Sequence, residues 1–243
     1  AHYYVLIPPD KFKESISLLT NLVLNPEINI NEFELEKSVV LEEIKQQNDQ
    51  PEEVLYNHFL KRVWQNHFYG KQILGREEDI NKIRIDDLIK FHEERYLNDN
   101  ICISLAGNLP ENTIKILEDS QISSPNISAY KNQQNLNFNN TIRTGREKLF
   151  VKRLELSRLI MAWQVPSSKD HKSIIGLELL ASLLVDGRNS LLGRPLKEEQ
   201  SLVESIYVDL NVGEFGSLMI LEACCINKNV DLVEEAINKL LKN

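Results

Sequence analysis

The sequence predicts an α+β fold made of two consecutive layers of helix and antiparallel sheet, and three observations predict it. Apolar residues recur with helical periodicity in segments of roughly 10 to 18 residues. Short β-rich runs lie between them, without the strict strand–helix–strand alternation of a parallel sheet. One stretch, 120–145, shifts to Ser, Asn, Gln and Pro and separates two parts of similar character. The expected organisation is therefore a first α+β part over 1–119, a linker over 120–145 and a second α+β part over 146–243.

Taken in order, Tyr3 to Ile7 is β-rich and bounded by Pro8 and Pro9, which marks a strand. Phe12, Ile16, Leu19 and Val23 then follow at helical spacing, with Asp10 as N-cap. Asn25-Pro26 breaks the chain, and Asn31 is placed to cap a second helix, with Glu34 completing a capping box. Asp49-Gln50-Pro51 interrupts that helix, and a third runs from Pro51 to Trp64. The run HFYGKQILGREEDINKI is a loop with Gly70 and Gly75; it lacks the Lys-Ser/Thr ending of a phosphate cradle, so its glycines are turn residues. Beyond it come a helix on Ile85, Leu88, Ile89 and Phe91 ending near Asn98-Asp99-Asn100, a buried strand from Ile101 to Ala106 and a short helix from Glu111 to Leu117. In the second part, Lys148 to Leu156 alternates and Leu159 to Val165 is an apolar strand. Helices follow over Asp170 to Val185 and Ser190 to Glu199, then strands over Val203 to Val212 and Gly216 to Ile226, and a last helix over Asp231 to Leu241.

The totals narrow the function classes. Acidic residues outnumber basic ones 36 to 28, and the basic ones are scattered, which argues against nucleic-acid binding. No stretch is apolar for long enough to span a membrane, and AHYYVLIPPD lacks the basic n-region of a signal peptide. The compartment is left open. Cys102, Cys224 and Cys225 form no metal spacing, and a disulfide between the adjacent pair would be strained, so free thiols are expected.

The stretch FELEKSVVLEEIKQQNDQPEE, 33–53, carries carboxylates where an ordinary amphipathic helix carries carbons. At about 100° per residue, Phe33, Val40 and Ile44 share one stripe, and Glu36 and Glu43 fall together beside it, with Val39 closing the arc. Both carboxylates are thus expected to point inward, where they need a metal, a cation or a His. The plainer reading is a solvated glutamate-rich helix; Glu32, in the first turn, is explained by the helix dipole alone. The other candidates have structural explanations too. His92 lies among acids on a helix, His58 and His67 flank Trp64, and Tyr3 and Tyr4 point to opposite faces of their strand, one toward the core.

Three blocks, EKSVVLEEIKQQNDQPEEVL (36–55), HFYGKQILGREEDI (67–80) and DDLIKFHEERYLNDNICISLAGNL (86–109), resemble in order and spacing the pitrilysin/insulinase family of zinc metallopeptidases, in its processing-peptidase branch. The run from Leu159 to Ile206 is more loosely similar to the opening of that family's next structural repeat. The resemblance implies two repeats of a half-clam, both incomplete here, and a zinc-dependent endopeptidase acting on peptides or presequences. It implies Glu43 as a zinc ligand and Glu36 as its supporting carboxylate, with Zn2+ also needing two His of an HxxEH helix, whose Glu activates water. No HxxEH or HExxH occurs in these residues, so this chain alone is expected to be inactive. The family's other half supplies an Arg and a Tyr, seven apart, at positions matched here by Lys197 and Glu204; the chain is therefore expected to be the zinc-bearing half, with a partner half or subunit supplying that pair. The alternative is a non-catalytic relative that binds peptide or acts as a scaffold subunit.

Overall fold

Proline and asparagine set the boundaries from which the architecture is built. The computed structural model describes residues 1–97, 100–123 and 142–242, so most of the expected linker over 120–145 lies outside the described residues. The chain divides into two compact units, Ala1–Gln46 with Leu74–Leu136, and Gln47–Ile73 with Asn137–Asn243.

In the first unit, Pro8 and Pro9 fix the backbone at the start of a single 3-10 turn, Pro9–Lys11, and α1 (Phe12–Leu24) follows. Asp10 lies inside that turn and does not cap α1, which has no side-chain cap. The α1 stripe buries Phe12, Ile16 and Thr20. Helix α2 (Ile30–Asp49) ends where Gln50, preceding Pro51, is forced into extended backbone with φ −90° and ψ 114°. Helices α4 (Glu77–Lys82), α5 (Ile85–Arg95) and α6 (Thr113–Glu118) complete the unit, and the His92 imidazole ties α5 to α1 by a 2.8 Å bond to the Val23 carbonyl. The strands expected over Tyr3 to Ile7 and Ile101 to Ala106 are irregular here. β-propensity supplies no ladder by itself, and no neighbouring strand meets either segment among the described residues.

The second unit opens with α3 (Pro51–Trp64) and is organised by a three-stranded antiparallel sheet in the order β1-β3-β2, with β1 over Ser157–Val165, β2 over Ser205–Asn211 and β3 over Ser217–Cys225. Pairings such as Met161↔Leu221 and Val208↔Leu221 place like residues on one face. That face is covered by α7 (His171–Val185) and α8 (Val230–Leu240), around a core of Leu192, Leu196, Leu221, Val233 and Ile237. Each fully buried leucine there stabilises the fold by roughly 1.5–3 kcal/mol. The opposite face, with Leu218 and Ile220, takes Trp64 and the apolar side of α3. The helix expected over Ser190 to Glu199 shortens to a π-type turn at Arg194–Glu199, which seats Leu196 in the core. Lys148 to Leu156, expected to be a strand, is not paired. Its Phe150 is nearly fully exposed, at 90%, so burial does not hold it against the sheet.

Candidate functional site

Helix α2 carries the two glutamates on which the sequence reading converges. Its first turn is closed by Asn29, whose side chain accepts from the Glu32 amide at 3.0 Å; Asn31 falls inside the helix instead of capping it. The inward stripe runs through Phe33, Lys37, Val40 and Ile44, with Ile44 buried. Lys37 belongs to that side because its ammonium donates to the carbonyls of Asn81 and Ile83, both at 3.0 Å.

Glu36 and Glu43 stand on the flank of this stripe, as their spacing requires, but both are exposed. The expectation that they point into the interior is therefore corrected: from the flank, a carboxylate reaches water without the desolvation that an inward position would impose. Leu35, 64% exposed, and Val39, 44% exposed, lie on the same side of the helix. The site face is thus apolar as well as acidic. The signal that could have revealed this is the Leu35–Val39 pair itself, apolar at i, i+4 and off the main stripe.

The donor chemistry decides how far these residues fit a metal. Among the described residues, no group of three or more His, Cys, Asp or Glu is placed to hold one. Zinc accepts carboxylate oxygen, but its catalytic sites take three protein ligands. Glu36 and Glu43 fit as part of a zinc site and not as a whole one. The imidazoles are engaged elsewhere: His92 stacks on Tyr96 at 4.5 Å between ring centroids, His58 meets Glu147 at 3.1 Å, and His67 is buried in an aromatic cluster. Tyr3 bonds the Tyr96 hydroxyl at 2.9 Å, but Tyr3 and Tyr4 are both exposed and the segment is irregular, so neither is turned into the core as a strand would place one of them. Lys197 and Glu204, at the positions of the other half's Arg and Tyr, are both exposed in the second unit. Cys224 and Cys225 are buried free thiols and Cys102 is an exposed one. Burial pushes both buried thiols up from their ordinary pKa.

A polar network that the sequence did not announce lies on the α3 side of the sheet. Arg158 on β1 bonds Glu222 on β3 at 2.6 Å and Glu52 on α3 at 2.9 Å. The Glu52 carboxyl is held below its usual range, first by its own backbone amide and then by Arg158.

Residues 82–243 match the family model described as the peptidase M16 inactive domain, and residues 1–77 match that of insulinase, peptidase family M16. The chain belongs to peptidase family M16. It is 26% identical over 235 residues to an uncharacterized zinc protease of Mycobacterium leprae, a match that covers 96% of this chain and 52% of that protein. It is 27% identical over 117 residues to a probable mitochondrial-processing peptidase subunit beta of Schizosaccharomyces pombe, covering 48% of this chain and 26% of that one. Among solved structures, a protease from Helicobacter pylori superposes with a TM-score of 0.79 at 20% identity, over 96% of this chain and 57% of that one. The chain's α+β fold is the M16 peptidase fold. The chain spans about half the length of the M. leprae relative. No helix among the described residues is long and apolar enough to cross a membrane.

Proposed function

We propose that this chain is the zinc-bearing part of a processing-type M16 endopeptidase, with Glu43 as a zinc ligand and Glu36 as its supporting carboxylate. The observation that carries this reading is the α2 face on which Glu36 and Glu43 stand exposed beside Leu35 and Val39. Leu35 and Val39 give the carboxylate pair an apolar margin, so that the same face can pack against another surface while its carboxylates bind a metal. With two His of an HxxEH helix beside Glu43, a bound zinc would supply Lewis-acid chemistry for peptide hydrolysis. Glu36 contributes by orienting the ligand and balancing charge. The substrate is a flexible or extended peptide enclosed between two halves, and the second half supplies the Arg and Tyr whose positions are Lys197 and Glu204 here. The domain division that goes with this reading is the linear one: an M16 repeat over 1–119, a linker over 120–145 and a second repeat over 146–243.

A second reading, a non-catalytic peptide-binding or scaffold subunit, draws on the inactive-domain match over 82–243 and on the incomplete donor set. Cleavage of an unstructured fluorogenic peptide separates the two. The 243-residue chain alone should be inert, whereas a protein extended to the length of its relatives, with its second half present, should cleave the peptide in a chelator-sensitive manner. Absence of cleavage by the extended protein, with peptide binding retained, would leave the scaffold reading standing.

A further inference from the structure

In the second unit, residues 64–70 at the end of α3 grip the turn that joins β2 to β3. Gln65 leaves the helix at a positive φ of 50°, which folds the chain back so that His67, Phe68 and Tyr69 face the turn. The turn is cut to receive them. A Cβ on Gly213 would come within 2.6 Å of Tyr69 Cζ, and one on Gly216 would come to 3.0 Å from Trp64 Cη2. The Tyr69 hydroxyl accepts the Phe215 amide at 3.3 Å, and the Phe68 and Phe215 rings meet edge to face with centroids 5.6 Å apart.

His67 sits at the centre of this grip. Only 3% of it is exposed, and its ring lies 5.2 Å from Trp64, 4.3 Å from Phe68 and 4.6 Å from Tyr69, centroid to centroid. Its Nδ1 accepts the Tyr69 amide at 3.2 Å. An accepting Nδ1 carries no proton, so the imidazole is held in the neutral Nε2–H form. Protonation at Nδ1 would turn the acceptor into a donor facing an N–H, and would place a charge among aromatic rings.

We propose that His67 is a proton-operated latch: the neutral imidazole holds Tyr69 in place, and protonation releases Tyr69 and with it the Phe215 end of the β2–β3 turn. Burial pushes the His67 pKa below its ordinary value, in the direction the geometry requires. Among the described residues, the other titratable groups at the cluster are Tyr69 itself and, on the turn side, Lys169, which lies 5.8 Å over the Phe215 ring and pairs with Glu214 at 3.2 Å. The sign is fixed. A His depressed in the folded state stabilises it above the ordinary pKa of about 6.5, and that stabilisation is lost as pH falls through the folded value.

Hydrogen exchange of the Tyr69 and Phe215 amides, read residue by residue in the full chain and corrected for intrinsic rates, tests the latch directly. Between pH 7.5 and pH 5, both amides should lose protection by about tenfold or more while the β3 amides keep theirs. The His67→Gln variant, whose amide oxygen can still accept the Tyr69 N–H, should show no such change. Should that variant fail to fold, the imidazole nitrogen shifts of His67 in the wild-type chain serve instead, with Nδ1 expected unprotonated at pH 7.5 and protonated in step with the loss of Phe215 protection. Unchanged protection at pH 5, an equal loss in His67→Gln, or a His67 titration out of step with Phe215 would each overturn the proposal.

Discussion

The two units solve the same packing problem to different extents. In the second, a three-stranded sheet is covered on one face by α7 and α8 and on the other by α3, and Leu192, Leu196 and Leu218 are fully excluded from water. In the first, the helices bury Phe12, Ile16, Ile44 and Leu97 but leave Leu6, Leu18, Leu22 and Leu35 more than half exposed. The sheet is covered on both faces, although the outer side of α7 also leaves Ile175, Leu179 and Leu183 more than half exposed. A group of helices with apolar flanks open to solvent is a surface prepared for contact, and the candidate zinc ligands stand on such a flank.

Mutations can break this comparison, beginning with the largest effect. Leu221→Ala, in the covered core, should destabilise the second unit by about 3 kcal/mol in urea unfolding, from lost burial and the cavity left behind. Leu35→Ala, of identical chemistry on the open α2 flank, should change stability by less than about 0.5 kcal/mol in the 243-residue chain. A large loss there would show that the flank is already covered. Gly213→Ala should cost about 1–3 kcal/mol, because the new methyl meets the Tyr69 ring and the turn must shift. Arg158→Met should cost about 1 kcal/mol, mainly by removing the Arg158 donor from the part-buried Glu222, since Glu52 is exposed and keeps its own backbone amide. The smallest effect concerns Glu147, held below the ordinary carboxylate range by Arg62 and then His58. Its contribution is present above the unfolded carboxylate pKa and is lost as pH falls through the depressed value. Glu147→Gln should therefore lower the neutral plateau of the stability profile slightly and leave its acid end unchanged, so that the limb between them flattens, as measured by thermal unfolding between about pH 3 and 7.

Periodicity reads well wherever a segment is both long and covered. Phe12, Ile16 and Val23 mark α1, Ile174 and Leu184 mark α7, and the apolar run within Gly216 to Ile226 marks a strand, which the structure shows as β3. The failures share one physical cause. Tyr3 to Ile7, Ile101 to Ala106 and Lys148 to Leu156 have strand composition, but a strand exists only with a ladder partner, and composition says nothing about where that partner is. The acidic helix was half legible. Its seven-residue spacing placed Glu36 and Glu43 together, but which flank is covered depends on what packs against it, and Lys37 took the inward position by reaching two carbonyls across the unit. The His67 cluster was invisible because it joins residues more than 140 apart, 67 with 213–216, through a turn whose glycines read only as turn chemistry.

Zinc stoichiometry is the most direct test of the account. A protein extended to the length of its relatives should carry about one zinc per chain by atomic emission. Glu43→Gln should lose it, while Glu42→Gln, one residue away and paired with Lys45 at 2.7 Å, should keep it. Zinc retained in Glu43→Gln, or lost equally from both variants, would contradict the assignment of Glu43 as a ligand.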